Sequence, residues 1–300
     1  MITEALLHCA GIGPARLAQL HERDIRTWAD VLDAQDCLVG ARWRRLAEES
    51  RRCLAALDAG EIRYFTNRFA PQDKWRILSH FLDQASYFDI ETVGLEHDAA
   101  ITVISCWHAG RLYNFVEHEN LDEFLELLDE IRLLVSFNGS SFDVPRILDT
   151  FHIPELSCAH LDMRWTCFHQ GLIGGLKEIA DRAGIIRPED LQSADGELAV
   201  RLWSAWRNCQ NGAARQLLIR YCASDVLMLV MLAHQQAGRD DMSQDKLWSH
   251  LPAAPTTALG TKSSSAAHQS PDATFGAAFE SQFGDGSPKL LRARRSRLVG

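Results

Sequence analysis

The chain contains, at residues 87–92, the stretch Tyr87-Phe88-Asp89-Ile90-Glu91-Thr92, in which a hydrophobic run ends in two carboxylates separated by one residue. Alternate side chains of a strand point to the same face, so Asp89 and Glu91 are expected to converge while Phe88 and Ile90 point into the core. Two carboxylates held together repel each other unless a cation is shared between them. Oxygen ligands of this kind suit Mg²⁺ or Mn²⁺. The stretch therefore predicts part of a metal site, which needs further carboxylates from elsewhere in the chain.

The composition indicates a globular protein of more than one domain. The chain has 300 residues, of which 46% are hydrophobic, and a net charge of −9 at pH 7. This charge argues weakly against general coating of DNA but does not exclude a nuclease, because catalytic carboxylates contribute to it. No stretch approaches the roughly 20 apolar residues of a membrane span, and the N-terminus lacks the pattern of a signal peptide. The eight cysteines are scattered with no CxxC pair, which predicts reduced thiols in a cytoplasmic protein and argues against zinc.

The hydrophobic pattern divides the chain into four segments. Residues 1–60 are expected to form a small helical domain, residues 61–83 a helical linker, residues 84–236 an α/β domain and residues 237–300 a disordered tail. In the α/β domain the pattern predicts strands at 86–91, 101–107, 111–116, 132–137 and 157–161, and helices at 120–130, 142–151, 172–183, 196–207 and 212–235. The first three strands have hairpin-like spacing and should be antiparallel.

The predicted tail is rich in small and polar residues and ends in a basic cluster. The cluster consists of Lys289, Arg292, Arg294, Arg295 and Arg297. A solvated tail is the favoured interpretation, and an arm that contacts phosphates is the alternative.

Two further segments carry carboxylates. Asn138-Gly139-Ser140-Ser141-Phe142-Asp143 follows a predicted strand, so Asp143 should lie in the first turn of a helix, where the helix dipole favours a negative charge. Tyr221-Cys222-Ala223-Ser224-Asp225 lies in the long C-terminal helix, where Tyr221 and Asp225 share one face because they are four residues apart. Taken alone, each segment also fits an ordinary structural role.

Taken together and in this order, the three segments resemble the three exonuclease motifs of the DEDD superfamily. These are ribonuclease-H-like 3′→5′ exonucleases, also found as proofreading domains of DNA polymerases. The closest likeness is to the YprB-like group, in which segments similar to Leu161-Asp162-Met163 and Leu176-Lys177-Glu178 lie between the second and third motifs. The resemblance covers roughly residues 84–236 and implies an α/β fold with a mixed sheet flanked by helices. Arg220 stands five residues before Asp225, where one class has His, so the match is to the tyrosine class.

The resemblance implies that Asp89, Glu91, Asp143 and Asp225 bind two Mg²⁺ or Mn²⁺ ions and that Tyr221 orients the attacking water. DNA or RNA would be the substrate, with no membrane and no small-molecule cofactor involved; the oligomeric state stays open. A ribonuclease-H-like endonuclease and a catalytically inactive nucleic-acid-binding adaptor are the alternative functions.

Three further polar residues have a functional and a structural interpretation. Asn138 could contact the nucleic-acid backbone, although a turn-forming role is favoured. Asp162 could support the metal ligands, although a helix N-cap is favoured because Asp is a preferred capping residue. Lys177 could reach a phosphate, with solvated surface as the default.

The N-terminal stretch Leu6-Leu7-His8-Cys9-Ala10-Gly11-Ile12-Gly13-Pro14-Ala15-Arg16-Leu17 resembles a helix-hairpin-helix motif. Gly11 and Gly13 permit a tight turn whose backbone N–H groups precede a helix, which predicts an anion site. The resemblance implies that this site binds the nucleic-acid backbone. Arginines close by could add phosphate contacts; they are Arg42, Arg44, Arg45, Arg51 and Arg52. An ordinary turn between packed helices and a protein-docking role are the alternatives.

Overall fold

A mixed sheet lies at the centre of the protein, as seen in a computed structural model that describes residues 1–34, 36–94, 96, 99–239 and 242–255. Within these residues five strands pair in the order β3-β2-β1-β4-β5. The strands are β1 Ala85–Thr92, β2 Ile101–His108, β3 Arg111–Val116, β4 Leu133–Ser136 and β5 Ala159–Asp162. β1, β2 and β3 are antiparallel neighbours, whereas β4 runs parallel to β1 and β5 parallel to β4. The predicted α/β class with a mixed sheet is confirmed, and so is the antiparallel order of the first three strands.

Helices cover both faces of the sheet and build the N-terminal part. The helices are α1 Pro14–Glu22, α2 Trp28–Asp33, α3 Ala41–Asp58, α4 Ile62–Arg68, α5 Trp75–Phe81, α6 Glu123–Glu130, α7 Asp143–Phe151, α8 Met163–His169, α9 Leu176–Arg182, α10 Gly196–Cys209, α11 Gly212–Gln236 and α12 Gln244–Trp248. Short 3₁₀ turns lie at Ile2–Glu4, Pro71–Asp73, Leu82–Gln84 and Glu189–Leu191. α8 was not predicted, because a helix of 7 residues is too short to show a clear period in the sequence.

The alternation of side chains along β1 separates two hydrophobic clusters. Phe88 and Ile90 are buried in a cluster with residues of α6 and α7. Tyr87 is buried in the other cluster, which contains most of α11. Asp89 and Glu91 share the Tyr87 face, because side chains two residues apart on a strand point the same way. The sheet therefore directs both carboxylates toward α11, on the face opposite Phe88 and Ile90, as the alternation in the sequence predicts for the face but not for the helix.

The N-terminal helices share the α11-side cluster with the sheet. Trp28, Phe65 and Leu78 belong to it together with Val103 and Val135 of the strands. The Trp28 ring stacks on Phe65 with 5.9 Å between ring centroids, and its Nε1 donates to the Ala5 carbonyl at 2.7 Å. Accordingly, Met1–Thr257 forms one compact unit in which residues 1–60 and 61–83 pack against the α/β core.

The predicted helix-hairpin-helix has an α-helix on its C-terminal side, while a 3₁₀ turn at Ile2–Glu4 stands on the other side. Gly11 takes a left-handed φ of +83° and Gly13 is the N-cap of α1. The Arg16 guanidinium donates to the Gly11 carbonyl. This segment therefore differs from a pair of helices joined by a hairpin, because residues 5–13 fold as successive turns.

α11 provides most of the core and ends near a segment that the sequence placed in the tail. By length and composition α11 could cross a membrane, contrary to the expectation from sequence, but 89% of its apolar window is buried inside the protein.

Beyond α11, the helix α12 buries Leu247, and the Pro252 carbonyl accepts from Arg220 at 2.6 Å. Residues 242–255 of the expected tail thus contain a helix and contact the core. The basic cluster at 289–297 lies outside the described residues.

Candidate metal centre

The topology of the sheet brings the segments that carry Asp89 and Asp143 to the same end of the sheet. β4 and β5 run parallel to β1, so the loops that follow all three strands leave from the same end of the sheet. β4 pairs only with Ala85–Tyr87 of β1, so the edge of β1 beyond Tyr87 is free of β4. The Ile90 amide uses this edge to donate to the Asp143 carboxylate. The pairing register therefore places the start of α7 beside Asp89 and Glu91.

The loop between β4 and α7 is held by Asp162, the last residue of β5. Its carboxylate accepts from the amides of Asn138 at 2.7 Å and Ser140 at 3.0 Å. It also accepts from the Arg164 amide at 3.0 Å, which makes it the N-cap of α8. The favoured interpretation of Asp162 as a cap is confirmed, and the structure adds that the same carboxylate fixes the Asn138 loop.

Asn138 and Gly139 shape this loop in different ways. Asn138 takes a left-handed φ of 68°, and its side-chain oxygen accepts from Ser141 Oγ at 3.0 Å and Arg164 Nη1 at 2.6 Å. At Gly139 a Cβ would overlap the Ser136 hydroxyl and lie 2.6 Å from the Ser136 Cβ. Asn138 therefore forms the turn, as the sequence favoured, and Gly139 is the residue type that the close approach permits.

Asp89 and Glu91 lie together, with one ligand atom of each within 4.8 Å of the Cys222 sulfur and of each other. Asp143 is the first residue of α7 and is 4% exposed, and Asp225 on α11 is 8% exposed. The four carboxylates thus come from β1, α7 and α11. Gly11 and Gly13 lie in the turn before α1 and belong to the N-terminal helical part.

Burial and mutual repulsion disfavour ionisation of these carboxyl groups. Burial is the largest cause that raises the pKa of Asp89 well above its ordinary value, and the charges of Asp143, Asp225 and Glu91 raise it further. Burial and then Asp225 raise the pKa of Glu91. Burial raises the pKa of Asp143 to about 7, against the lowering effect of its own amide. Bound cations would offset both the burial of these negative charges and their mutual repulsion. The carboxylate oxygens therefore fit hard divalent ions such as Mg²⁺ or Mn²⁺.

Cys222 is a member of this cluster that the sequence did not predict. Its thiol donates to the Asp89 backbone carbonyl at 3.4 Å, and burial followed by the Asp89 charge raises the pKa of this thiol well above its ordinary value. The sulfur therefore stays protonated and serves as a weak donor. No sequence signal distinguishes Cys222 from the other buried cysteines, because its role depends on how α11 packs on β1.

Two basic side chains also enter the site. Lys177 Nζ donates to the Tyr221 hydroxyl at 2.7 Å and to the Ala194 carbonyl at 3.0 Å, so the default assignment of Lys177 to solvated surface was wrong. Arg187 is 8% exposed, pairs with the Asp225 carboxylate and donates to Ser224 Oγ at 2.7 Å. Arg187 lies in the irregular segment between α9 and α10, so periodicity could not identify it.

Burial and the charged neighbours together determine the protonation of Asp225 and Tyr221. Burial raises the pKa of Asp225, while the charges of Arg187 and then Lys177 lower it. Burial and the charge of Asp225 raise the pKa of Tyr221 far above its ordinary value. Tyr221 therefore keeps its proton. Since its oxygen accepts from Lys177, the phenolic proton remains available for donation.

Comparison with known proteins gives a matching family model and similar solved structures. A family model described as the RNase_H superfamily matches residues 86–236. No curated protein matches the sequence. A solved structure of the family B DNA polymerase from the hyperthermophilic archaeon Pyrobaculum calidifontis is similar at a TM-score of 0.42 and 16% identity, over 50% of this chain and 24% of the polymerase chain.

Proposed function

The chain belongs to the RNase H superfamily, and on that premise we propose that it is a divalent-metal-dependent nuclease that hydrolyses DNA or RNA from the 3′ end. The observation that carries the proposal is the close approach of Asp89 and Glu91, with Asp143 and Asp225 near enough for their charges to raise the pKa of Asp89. Burial and neighbouring negative charge raise the pKa of Asp89 and Glu91, an arrangement that is costly unless cations are bound.

Asp89, Glu91, Asp143 and Asp225 would hold two Mg²⁺ or Mn²⁺ ions. When bound, such a pair supplies a nucleophilic hydroxide at neutral pH and stabilises the charge on the attacking and leaving oxygens. Four carboxylates provide the negative charge that two dications require without a histidine ligand. Asp225 has two carboxylate oxygens, so Arg187 can keep Oδ1 while Oδ2 remains available to an ion.

Tyr221 would orient the water that attacks the phosphodiester. Its raised pKa keeps the phenol protonated at neutral pH, so it positions water by donating a hydrogen bond and does not act as a base. Lys177 holds the phenolic oxygen and thereby directs its proton away from the ammonium. Both residues are positioning groups in this proposal.

The order and context of the three motifs support the 3′→5′ polarity. Asp89-x-Glu91 lies on a strand, Asp143 begins a helix and Tyr221-x-x-x-Asp225 lies on a long helix. This is the arrangement that the likeness to tyrosine-class DEDD exonucleases requires. Asn138 stays a proposed contact to the nucleic-acid backbone, and Gly11 and Gly13 stay proposed contacts in the turn before α1.

The test is degradation of linear and circular single-stranded and double-stranded DNA and RNA by purified protein with Mg²⁺, Mn²⁺ or EDTA. We expect metal-dependent loss of linear substrates while covalently closed circles persist. Asp225→Asn should abolish this activity, and Asp149→Asn should not, because Asp149 is an exposed acid on the outer part of α7. Cleavage of circles would establish an endonuclease, and binding without hydrolysis of any substrate would favour the adaptor.

A further inference from the structure

A second group of metal-ligating side chains lies in the N-terminal helical part. His8 and Cys9 belong to the turns before α1, and Glu49 and Cys53 belong to α3. Glu49 and Cys53 are four residues apart and share one helix face. One ligand atom each of His8, Glu49 and Cys53 lies within 4.8 Å of the other two. The fold thus brings together two segments about 40 residues apart in the chain.

The separations within this group are those of ligands around one small ion. His8 Nε2 lies 3.3 Å from Cys53 Sγ, 3.7 Å from Cys9 Sγ and 3.9 Å from Glu49 Oε1. Bond lengths of about 2.0–2.3 Å in a tetrahedral zinc site place neighbouring ligand atoms roughly 3.3–3.8 Å apart. His8, Glu49 and Cys53 therefore need little rearrangement to surround a metal. Cys9 lies next to His8 Nε2 but outside the group of mutually close ligand atoms, so its sulfur would have to move toward Glu49 and Cys53 to become the fourth ligand.

The His8 imidazole has poor partners for a buried polar group. Its side chain is 1% exposed and packs on Phe69 with 4.9 Å between ring centroids. Nδ1 has no hydrogen-bond partner among the described residues, and the two nearest neighbours of Nε2 are sulfurs, which are weak hydrogen-bonding atoms. Burying polar nitrogen with such partners costs free energy. A metal–nitrogen bond at Nε2 would replace the weak sulfur contacts of that nitrogen.

The surroundings balance the charge of an occupied site. Two thiolates and one carboxylate carry three negative charges, which exceeds the charge of a divalent ion by one. Arg68 supplies the missing positive charge through its ion pair with Glu49 Oε1 at 2.6 Å. The Tyr64 hydroxyl donates to the same oxygen at 2.9 Å. Hydrogen-bonded partners of this kind orient a ligating carboxylate.

We propose that His8, Cys9, Glu49 and Cys53 form a structural site for Zn²⁺ or a similar thiolate-preferring divalent ion. Binding would release the two thiol protons to solvent as the sulfurs coordinate the metal. The site would tie the turns before α1 to α3. It uses soft sulfur ligands, whereas the carboxylate cluster at Asp89 suits hard ions, so it stands independently of the proposed nuclease function. The sequence argued against zinc because these cysteines do not form a CxxC pair.

The test is titration of the full-length, reduced, metal-free protein with Co²⁺, which reports its ligands by absorption. Thiolate ligands give a charge-transfer band in the near ultraviolet, and tetrahedral geometry gives intense visible bands. We expect saturation of both at one Co²⁺ per chain, displacement by one equivalent of Zn²⁺, and no displacement by Mg²⁺. Absence of a thiolate band in the wild-type protein would overturn the proposal, whatever the nuclease activity is.

Variants of single cysteines identify the thiols that give the charge-transfer band of bound Co²⁺. Cys9→Ser and Cys53→Ser should each lose most of the charge-transfer intensity. Cys222→Ser is the matched control, because Cys222 is a buried cysteine beside the other group of possible ligands. A band that survives in both Cys9→Ser and Cys53→Ser, or that disappears in Cys222→Ser, would overturn the assignment. If a serine variant fails to fold, the wild-type titration together with Cys222→Ser still decides the question.

Discussion

Replacing Asp143 by Asn should stabilise the metal-free protein at neutral and alkaline pH. Asp143 is 4% exposed, and burial raises the pKa of its carboxyl from 3.8 to about 7. Ionising this group in the folded state at pH 7 or above costs roughly 4 kcal/mol more than in the unfolded chain. The Asn side chain carries no charge, but its NH₂ group needs a partner, which costs about 1–3 kcal/mol if none is found. We therefore expect a net gain of about 2 kcal/mol.

The pH dependence follows from the same shift. Between about pH 4 and 7 the folded protein keeps a proton on Asp143 that the unfolded chain has lost, so this group makes stability fall as pH rises through that window. The penalty is complete above about pH 7 and absent below about pH 4. The Asp143→Asn variant lacks this penalty but keeps the cost of its amide at every pH, so it should be more stable than the wild type at pH 8 and slightly less stable at pH 4.5.

The assay is thermal and urea unfolding in EDTA at both pH values, followed by circular dichroism. A gain of about 2 kcal/mol corresponds to a rise in Tm of roughly 4–8 °C for a protein of this size. Asp149→Asn on the exposed part of α7 is the control and should leave Tm unchanged. An equal gain at both pH values, or a loss at pH 8, would refute the reasoning that a buried, repelled carboxylate destabilises the folded state.

Three further substitutions test the site and its loop. Tyr221→Phe should lower kcat by about 10-fold to 100-fold, a smaller loss than that of any proposed metal ligand, because it removes one hydrogen bond to water; an equal loss in steady-state assays would show a larger role. Gly139→Ala should cost about 1–3 kcal/mol in urea unfolding, because its Cβ would overlap the Ser136 hydroxyl; an unchanged midpoint would contradict the close approach. Asp162→Ala should cost a similar amount and lower activity, because three amides lose their acceptor; a variant with wild-type stability and kcat would show that the loop does not need this anchor.

The sequence predicts most of the α/β domain because its strands are continuous hydrophobic runs bounded by polar turns. β1 to β3 lie within about two residues of the predicted positions. The convergence of Asp89 and Glu91 follows from strand periodicity alone, and their direction toward α11 follows from the burial of Phe88 and Ile90 on the other face. The roles of these residues as metal ligands stay a prediction.

What the sequence does not predict depends on contacts distant in the chain. Arg187 reaches Asp225 from an irregular segment, and Lys177 reaches Tyr221 because α9 packs against α11. α12 is missed because a helix of 5 residues with Leu247 and Trp248 as its large apolar side chains is too short to mark a helix by period. The cysteines beside His8 are informative only after α3 is packed on the N-terminal turns.

The most direct test of the central claim is the fate of end-labelled single strands incubated with protein and Mn²⁺. We predict that a 5′-labelled strand shortens progressively, while a 3′-labelled strand releases its label at once as a mononucleotide. EDTA and the Asp89→Asn variant should both stop the reaction, with the metal-free variant at least as stable as the metal-free wild type. Hydrolysis that persists in EDTA or in folded Asp89→Asn, or release of a 5′ label first, would contradict a carboxylate-held metal site that acts from the 3′ end.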